Sequence, residues 1–590
     1  MRLRLPAYAH HLALALGLVI MSLMMSWGVH DESPTEDEFT HLVRGIAYWQ
    51  APDTRLSYGH PALGNAWTAL PVAFDADNPR IERLSGWSTA TAARVTKAYL
   101  DKDYGRARAQ LMRARYAAMA LGLLLVTYLF YWCRSLFGIR SALALLALTV
   151  FNPVIIAQCR YVTTDPPAML GYVVGVGEFI RYLRGGKLGL LWMPLGLSLG
   201  LLTKYSGVVL IPFALVTGLL VCGLGRGRFA GLAPAKRWLT LGKHLLLTTL
   251  VMTLAVNAAY KFDDTGMTVG QMLDKPEPRY WVSARYDNLL EEFTPLPKLP
   301  RSLRVPLPYT YVFGIAGIRG HTSAGFTSYY WGERIQKAPK SYFPVLLLIK
   351  NPPALLALLA AGAVLLARRR RMRLETAALS GGAALFLLVA TRSNLAMGVR
   401  HVLPVIPLLG VLAARSFDQL WQLWPKPQAR AWLSALTSSV ALSALTAGPD
   451  FLGYFNLLVG GRHGGHQISI YGEDWGQDRA KLAKVVAERK LSPLYYDPQT
   501  ATRAKEAKFL GMPYRRARCG MSPRRGWLAL HALTYHTHDI PRCYPFLVGK
   551  VPDIEIDDHI YLFKLADAPP SERARPKPEP VEPDNAPEEP

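Results

Sequence analysis

Long apolar runs alternate with polar segments along most of this chain of 590 residues. Eleven of these runs approach the length of about 20 residues that a helix needs to cross a bilayer. The pattern therefore predicts an α-helical polytopic membrane protein with about eleven transmembrane helices within residues 1–447. The runs lie at 12–29, 114–133, 141–157, 168–183, 188–203, 205–223, 242–260, 342–367, 375–391, 402–417 and 431–447.

The segments between the apolar runs divide into short basic connections and long polar segments. Basic residues in short connections, such as Arg226 and Arg228, favour the cytoplasmic side of a membrane. Counted from the N-terminus, the even-numbered connections carry the basic residues. A cytoplasmic N-terminus places these connections in the cytoplasm, so that orientation is predicted. The long segments at 30–112, 261–340 and 448–590 then lie on the outer face.

The hydrophobic pattern changes after residue 447 to that of a soluble domain. Residues 448–565 predict a small extracytoplasmic α/β domain, and the Pro- and Glu-rich tail 566–590 is predicted to be disordered. Cys519 and Cys543 lie in this domain and could form a disulfide if it is extracytoplasmic. The predicted elements are helices at 477–490 and 500–510 and strands at 492–496, 526–534 and 559–565.

Charge placement and the absence of certain motifs argue against several classes of protein. The formal net charge is +25, but many of the basic residues stand in short loops, where they set topology, so no nucleic-acid partner is predicted. The first apolar run lacks the small-x-small pattern that ends a secretory signal peptide, so it is expected to remain as a helix. The chain has no Gly-rich phosphate loop, which argues against nucleotide hydrolysis or a soluble nucleotide substrate on the cytoplasmic side.

Five carboxylates stand between Asp31 and Glu38, directly after the first apolar run. Residues 38–49 place apolar side chains at helical spacing and predict an amphipathic helix. Thr35 and Glu38 fit a capping box, which would put Asp37 in the first turn, where the helix dipole favours an ionised carboxylate. The acidic run is therefore either a solvated helix start or the carrier of a reactive carboxylate on the outer face.

Further charges stand in short links on the same face. Arg160 and Asp165 precede the fourth apolar run and form either an interfacial ion pair or a second carboxylate facing the first. Arg400 precedes the tenth run as an interface anchor or as a cation of the same site.

Two lysines interrupt apolar sequence. Lys204 separates the fifth and sixth runs, where its side chain could simply extend to the outer interface. Lys350 lies well inside the eighth run, where a charge is costly unless it faces protein or water. A functional role is therefore predicted for Lys350.

Carboxylates and cations on one membrane face suit group transfer from a lipid phosphate. A carboxylate can take the proton of an acceptor hydroxyl while the cations stabilise charge on the leaving phosphate. Two carboxylates without a Cys/His ligand set do not demand a metal, and no cofactor is predicted, although a divalent ion stays an open alternative. The rival hypothesis is a transporter or flippase for a lipid-linked sugar, with these charges as its pathway; inverted repeats would favour it, and none is visible.

Several stretches resemble the motifs of one family, in the same order along the chain. In the N-terminal half they are Asp37-Glu38-x-x-His41, His60-Pro61-Ala62-Leu63, Arg160 to Asp165 and Leu201 to Gly207. In the C-terminal half they are Tyr329 to Glu333, Ser341 to Pro344, Lys350-Asn351-Pro352, Gly398 to Pro407, Tyr454 to Asn456, Val459 to Gly461 and Glu473 to Asp478. Together they resemble the GT-C glycosyltransferases that use polyprenyl-phosphate-linked sugars, including protein O-mannosyltransferase-like and aminoarabinose-transferase-like enzymes. Ala62 and Asn351 depart from the family pattern, replacing a proline and a threonine.

The resemblance implies a GT-C fold and an inverting sugar transfer from a polyprenyl phosphate to an acceptor hydroxyl, at the outer face of a bacterial inner membrane. The resemblance names neither the sugar nor the acceptor, which could be a protein, a lipid or a glycan. By position, Asp37 would be the general base, with Asp165 and Glu38 beside it. The residues that would hold the donor phosphate are Lys204, Lys350, Arg400 and Arg160, and those that would bind substrate are His41, His60, His401, Tyr205 and Glu333.

Overall fold

The structure, a computed structural model, describes residues 8–278, 286–368, 372–498, 500–521, 525–537 and 540–565. The tail 566–590, which was predicted to be disordered, lies outside these residues. α-Helices are the main elements of the described residues before the C-terminal domain, and the apolar runs fall on them. Up to residue 259 they are α1 (Ala9–Ser26), α2 (Glu38–Gln50), α3 (Ala62–Ala69), α4 (Ala92–Lys102), α5 (Tyr104–Phe137), α6 (Ile139–Val150), α7 (Pro153–Gln158), α8 (Asp165–Leu183), α9 (Gly189–Thr203), α10 (Leu210–Gly223) and α11 (Pro234–Ala259).

The second half of the helical part begins with the long polar segment 261–340. A short hairpin of two antiparallel strands, β1 (Ser328–Tyr330) and β2 (Glu333–Ile335), closes that segment before the next apolar helix. The helices are α12 (Val269–Asp274), α13 (Leu289–Phe293), α14 (Tyr309–Ala324), α15 (Tyr342–Ile349), α16 (Pro353–Ala367), α17 (Leu374–Ala390), α18 (Val405–Leu423) and α19 (Pro427–Ala447).

Prolines divide two of the predicted runs. The run 141–157 is split into α6 and α7 at Pro153, and the run 342–367 is split into α15 and α16, which meet at 114° around Pro352. Proline has no backbone N–H and its ring clashes with the preceding turn, so a helix ends or bends there. The break leaves Lys350 at the corner between α15 and α16 rather than inside a continuous helix.

Each of the eleven predicted runs falls on a helix or on a divided pair of helices. Within the described ranges, four helical segments are individually long and apolar enough to cross a membrane, and the bent pair α15 and α16 would be a fifth. The prediction of an α-helical membrane protein is therefore confirmed, whereas the number of about eleven spanning helices is not. The four segments are α1, α5, 205–229 and α11.

Helix α11 shows why the surface of this part is lipid-facing. Large apolar side chains such as Leu246, Leu250 and Leu254 are exposed along it, whereas only a minority of its residues are buried. An exposed apolar stripe of this size is unfavourable in water and suits contact with acyl chains.

The segment 30–112, together with the start of α5, packs an apolar core of its own. Phe39, Leu42, Val43 and Ile46 of α2 are buried against α4 and α5, so the predicted amphipathic helix is confirmed. Trp49, the last residue of the predicted apolar face, is 38% exposed and does not belong to this core.

The start of α2 differs from the predicted capping box. The helix begins at Glu38 and Asp37 is its N-cap residue, so Asp37 stands just before the first turn. The Thr35 backbone N–H donates to Glu38 Oε2 at 2.8 Å, but the reciprocal bond from the Glu38 backbone N–H to the Thr35 hydroxyl is not formed. One half of the capping box is thus present, and it fixes Glu38 rather than Asp37.

The predicted α/β character of the C-terminal part is confirmed by a sheet with helices between residues 461 and 565. The five-stranded sheet has the order β4-β3-β5-β7-β6, in which β4, β3 and β5 are parallel and the other pairs are antiparallel. Cys519 and Cys543 form a disulfide, as the sequence allowed. The elements are α20 (Gly461–His466), α21 (Arg479–Glu488), β3 (Leu494–Tyr496), α22 (Ala501–Phe509), β4 (Arg515–Arg516), β5 (Gly526–His531), α23 (Ala532–Thr537), α24 (Ile540–Cys543), β6 (Ile554–Ile556) and β7 (Ile560–Leu565).

Candidate active site

Two carboxylates and two cations from four distant parts of the chain form one ion-pair cluster. Arg400 Nη1 and Nη2 donate to Asp37 Oδ2 at 3.0 and 2.9 Å. Arg400 Nε lies 3.4 Å from Asp165 Oδ2, and Lys204 Nζ donates to Asp165 Oδ1 at 2.5 Å. The structure therefore brings together four of the residues that the sequence singled out, although they span more than 360 positions.

The local backbone explains how each of these side chains reaches the cluster. Asp37 caps α2, Asp165 begins α8, and Lys204 follows the last residue of α9. Arg400 belongs to a short 3-10 turn, Val399–Val402, that leads into α18. All four side chains thus stand at helix ends, where the chain changes direction and polar groups are not forced into a helix interior.

The two carboxylates differ in their exposure. The Asp165 side chain is 1% exposed, whereas that of Asp37 is 41% exposed. Burial alone would raise the pKa of Asp37, but the Arg400 guanidinium outweighs it, so the pKa lies below its usual value. Burial likewise opposes ionisation of Asp165, and Lys204 with Arg400 lowers its pKa to about 2. Both groups are ionised at neutral pH, and Asp37 is the one that a substrate can reach.

Histidines line the same region in their neutral form. The rings of His41 and His60 lie 4.8 Å apart between centroids, and Nδ1 of each is within hydrogen-bond distance of a polar oxygen, Asn65 Oδ1 at 2.9 Å and Thr164 Oγ1 at 3.3 Å. Burial lowers the pKa of His41 to about 4 and holds the pKa of His60 well below its usual value. The three residues His41, His60 and His401 can therefore donate or accept hydrogen bonds without adding charge.

Tyr205 is buried, whereas Glu333 is exposed. The Tyr205 hydroxyl is buried, 3.4 Å from the Ser57 carbonyl oxygen and 3.4 Å from the Tyr260 hydroxyl. Glu333 begins strand β2 and is exposed on the hairpin.

Glu38, predicted beside the base, is instead the centre of a buried bonding network. Its Oε1 accepts from Arg115 Nε at 2.8 Å and from the Val162 backbone N–H at 3.0 Å. Its Oε2 accepts from Arg115 Nη2 at 2.6 Å and from Thr35 N–H. With the side chain fully buried and its lone pairs filled, Glu38 holds the start of α2 and does not face a substrate.

Two cations predicted to bind phosphate are committed to other carboxylates. Arg160 is fully buried and pairs with Glu32 at 2.8 Å, with a further bond to the Pro449 carbonyl at 2.7 Å. Lys350 Nζ lies 2.5 Å from Glu473 Oε2, and each of these two side chains is 1% exposed. The same nitrogen lies 3.9 Å from the centroid of the Phe455 ring. The structure does not bring either residue into the cluster around Asp37, and the reason is that nearer acids neutralise both.

The C-terminal domain supports the cluster directly. The Arg400 guanidinium lies over the Trp475 ring at 4.3 Å from its centroid. The acidic loop itself is bonded to the same domain: Ser33 N–H donates to the Gln477 carbonyl at 2.8 Å, and Glu36 N–H donates to the Trp475 carbonyl at 3.2 Å. Sequence reasoning noted residues 473–478 as a family-like stretch but gave them no role.

One buried group of possible metal ligands lies in the C-terminal part. Among the described residues, donor atoms of Asp450, Asp478 and His559 lie within 4.8 Å of one another. Burial alone would lower the pKa of His559, but the two aspartates raise it to about 9, and Arg462 and Lys481 pair with the same acids. The cations already balance the carboxylates, so these contacts fit an ion-pair network.

Comparisons with known proteins support part of this picture. Residues 108–257, about a quarter of the chain, match the family described as dolichyl-phosphate-mannose-protein mannosyltransferase. The match covers most of the stretch from α5 to α11 and confirms the family resemblance for that segment. No curated protein sequence matches the chain.

Solved structures of two enzymes are similar to the chain at low sequence identity. The structure of ArnT from Cupriavidus metallidurans bound to undecaprenyl phosphate has 15% identity and a TM-score of 0.45, covering 95% of this chain and 98% of ArnT. Its apo state has 13% identity and a TM-score of 0.46, covering 94% and 97%. The archaeal oligosaccharyltransferase AglB from Archaeoglobus fulgidus, in complex with an inhibitory peptide and a dolichol-phosphate, has 12% identity and a TM-score of 0.43, covering 74% and 55%.

Proposed function

We propose that this chain is a GT-C glycosyltransferase that moves a sugar from a polyprenyl-phosphate carrier to an acceptor hydroxyl at the outer face of a bacterial inner membrane. The observation that carries the proposal is the partly exposed, ionised Asp37, held by Arg400 beside the buried pair of Asp165 and Lys204. The match of residues 108–257 to a family that uses a lipid-phosphate sugar supports the donor class. The transport alternative uses the same charges, and no comparison favours it.

The proposed reaction is a single displacement with inversion. Asp37 takes the proton of the acceptor hydroxyl as its oxygen bonds to the anomeric carbon of the sugar. The bond between that carbon and the phosphate oxygen breaks, and its electron pair stays on the lipid phosphate. Lys204 and Arg400 stabilise this negative charge, and Asp165 keeps both cations in place.

The remaining site residues take roles that follow from their surroundings. His41, His60 and His401 are proposed to hydrogen-bond the donor or the acceptor as neutral rings, and Tyr205 to form part of the wall. Glu333 is proposed to contact the acceptor from the exposed hairpin. In contrast, Glu38, Arg160 and Lys350 are proposed to hold the fold through their buried ion pairs.

The topology is proposed as multi-pass with the N-terminus in the cytoplasm. Residues 1–447 would form the membrane transferase domain and residues 448–565 the outer domain. The disulfide between Cys519 and Cys543 supports an extracytoplasmic position for the second domain, because disulfides persist in oxidising compartments.

The test is to incubate the purified protein in lipid nanodiscs with a panel of polyprenyl-phosphate sugars and to measure which sugar is released or transferred. Asp37→Asn should keep the folded, inserted state but lose transfer by at least about 100-fold, because the general base is gone. Asp31→Asn is the matched control, since Asp31 is exposed in the same acidic run. Consumption of no donor would refute the function, and full activity in Asp37→Asn would refute the base.

A further inference from the structure

Arg44 is a nearly buried cation that lacks an acidic partner. It is 9% exposed, and its Nε atom has no hydrogen-bond partner. In the part of the chain that the structure describes, no carboxylate oxygen lies within ion-pair distance of its guanidinium. Buried charges in proteins are normally paired, because taking an ion out of water is costly. Four other buried arginines, Arg115, Arg160, Arg400 and Arg503, each pair with an acid, whereas the buried Arg479 donates to the Pro34 carbonyl.

The helix places Arg44 on the same side as the candidate base. Asp37, His41 and Arg44 follow one another at intervals of four and three residues, so they lie along one face of α2 and its cap. Arg44 also acts electrostatically on both His41 and His60, which are themselves influenced by Arg400. Arg44 therefore lies on the same side of α2 as the ion-pair cluster, about two turns beyond Asp37 and one turn beyond His41.

The chain leaves room for this guanidinium. It lies 5.7 Å from the centroid of the Tyr58 ring and packs against Gly59, where a Cβ atom would come within 2.6 Å of an Arg44 nitrogen. Any side chain larger than hydrogen at position 59 would push the guanidinium away. The Arg44 guanidinium is thus surrounded by the neutral residues Tyr58, Gly59 and His60, which do not balance its charge.

The charges of the site leave one positive charge unmatched. Arg400 and Lys204 are balanced by Asp37 and Asp165, and Arg44 adds a third cation. His41 and His60 are neutral, so they do not alter this balance. A sugar phosphodiester carries one negative charge, and a second negative charge develops on its phosphate as the bond to the sugar breaks.

We propose that Arg44 binds the phosphate group of the lipid-linked substrate. The phosphate then provides the negative partner that Arg44 lacks within the protein. This inference rests on the proposed function and makes it more specific. The electron pair released from the sugar–phosphate bond stays on the phosphate beside Arg44, while the acceptor proton goes to Asp37. Arg160 and Lys350, which the sequence suggested for this task, are already neutralised by Glu32 and Glu473.

The experiment measures binding of undecaprenyl phosphate and of inorganic phosphate to the purified, nanodisc-embedded protein. Arg44→Gln should weaken binding of the lipid phosphate at least about tenfold, and Arg44→Lys should fall between Gln and the wild type. Arg83→Gln is the matched control, because Arg83 is an exposed arginine of the same outer segment, and it should bind as the wild type does. Competition by inorganic phosphate in the wild type, lost in Arg44→Gln, would show that the phosphate alone is recognised; competition that persists in Arg44→Gln would overturn the assignment.

Thermal melting separates this role from a structural one. An arginine without an acidic partner stabilises the fold little, so Arg44→Gln should melt at the wild-type temperature in the absence of lipid. Added undecaprenyl phosphate should raise the melting temperature of the wild type more than that of Arg44→Gln. Equal lipid binding by Arg44→Gln and the wild type would overturn the role of Arg44 alone. Failure of the wild type to bind the lipid phosphate or to consume any donor would overturn the proposed function as well.

Discussion

The pair of neighbours Asp37 and Glu38 provides a direct test of how the site is built. We propose a chemical role for the partly exposed Asp37 and a supporting role for the buried Glu38. We therefore expect Glu38→Gln to destabilise the protein while leaving the catalytic groups in place. Asp37→Asn should do the reverse.

The expected cost follows from the bonds of Glu38. Both oxygens of its carboxylate accept from Arg115, and each also accepts from one backbone N–H, Oε1 from Val162 and Oε2 from Thr35. Glutamine offers one acceptor oxygen, and its NH₂ group would face two donors. Removing one charge of a buried ion pair lowers the free energy of unfolding by about 3–5 kcal/mol. Because glutamine keeps one acceptor oxygen, we expect a loss of about 3 kcal/mol here. At about 2 °C for each kcal/mol in a large chain, the melting temperature should fall by roughly 6 °C.

The assay is the thermal unfolding of the purified variants, followed by tryptophan fluorescence, together with transfer activity measured well below the melting temperature. Glu82→Gln is the control, because Glu82 is exposed in the same outer segment and should melt as the wild type does. Glu38→Gln should retain turnover within about tenfold of the wild type. An unchanged melting temperature combined with a loss of turnover as large as that of Asp37→Asn would refute the structural role of Glu38.

Two further predictions concern buried charges in the second half of the chain. Lys350→Met should lower the melting temperature by leaving Glu473 unpaired, and the double variant Lys350→Met/Glu473→Leu should recover most of the loss; a single variant as stable as the wild type would contradict the pairing. The pKa of His559 is about 9 in the folded protein against an ordinary 6.5, so its stabilising effect, on the order of 3 kcal/mol, is complete below pH 6.5 and is lost as the pH rises through 9. The melting temperature should therefore fall between pH 6.5 and 9.5 in the wild type and fall less in His559→Gln; equal slopes would contradict the charge of His559.

The sequence predicted the helical architecture well because each apolar run is a local signal. Hydrophobic length and the proline positions are readable from a few dozen residues, and the runs coincide with the helices. The number of spans was less accessible, since bends such as that between α15 and α16 depend on how the helices pack. The strands of the C-terminal domain were also placed correctly where their apolar pattern was strong, but the two-residue β4 and the three-residue β6 gave too little pattern.

The site was predicted in part, and the division has a physical reason. Asp37, Asp165, Lys204 and Arg400 meet as the family-like stretches implied. The partners of the other charges are distant in sequence: Glu473 lies 123 positions from Lys350, and Arg115 lies 77 positions from Glu38. No local pattern announces which acid will neutralise a buried base. Arg44 was overlooked although its spacing from Asp37 and His41 on α2 was a usable signal.

The C-terminal domain is therefore part of the site's framework and not only a separate module. Arg503 bonds to Glu36 at 2.5 Å, and Arg479 donates to the Pro34 carbonyl at 2.5 Å, so two arginines hold the loop that ends at Asp37. Trp475 packs under Arg400 from the same domain, on the other side of the ion pair. The C-terminal domain thus contacts Arg400 through Trp475 and the loop before Asp37 through Arg479 and Arg503. The geometry of the candidate base thus depends on a segment more than 430 residues away in sequence, which explains why the acidic run alone could not reveal it.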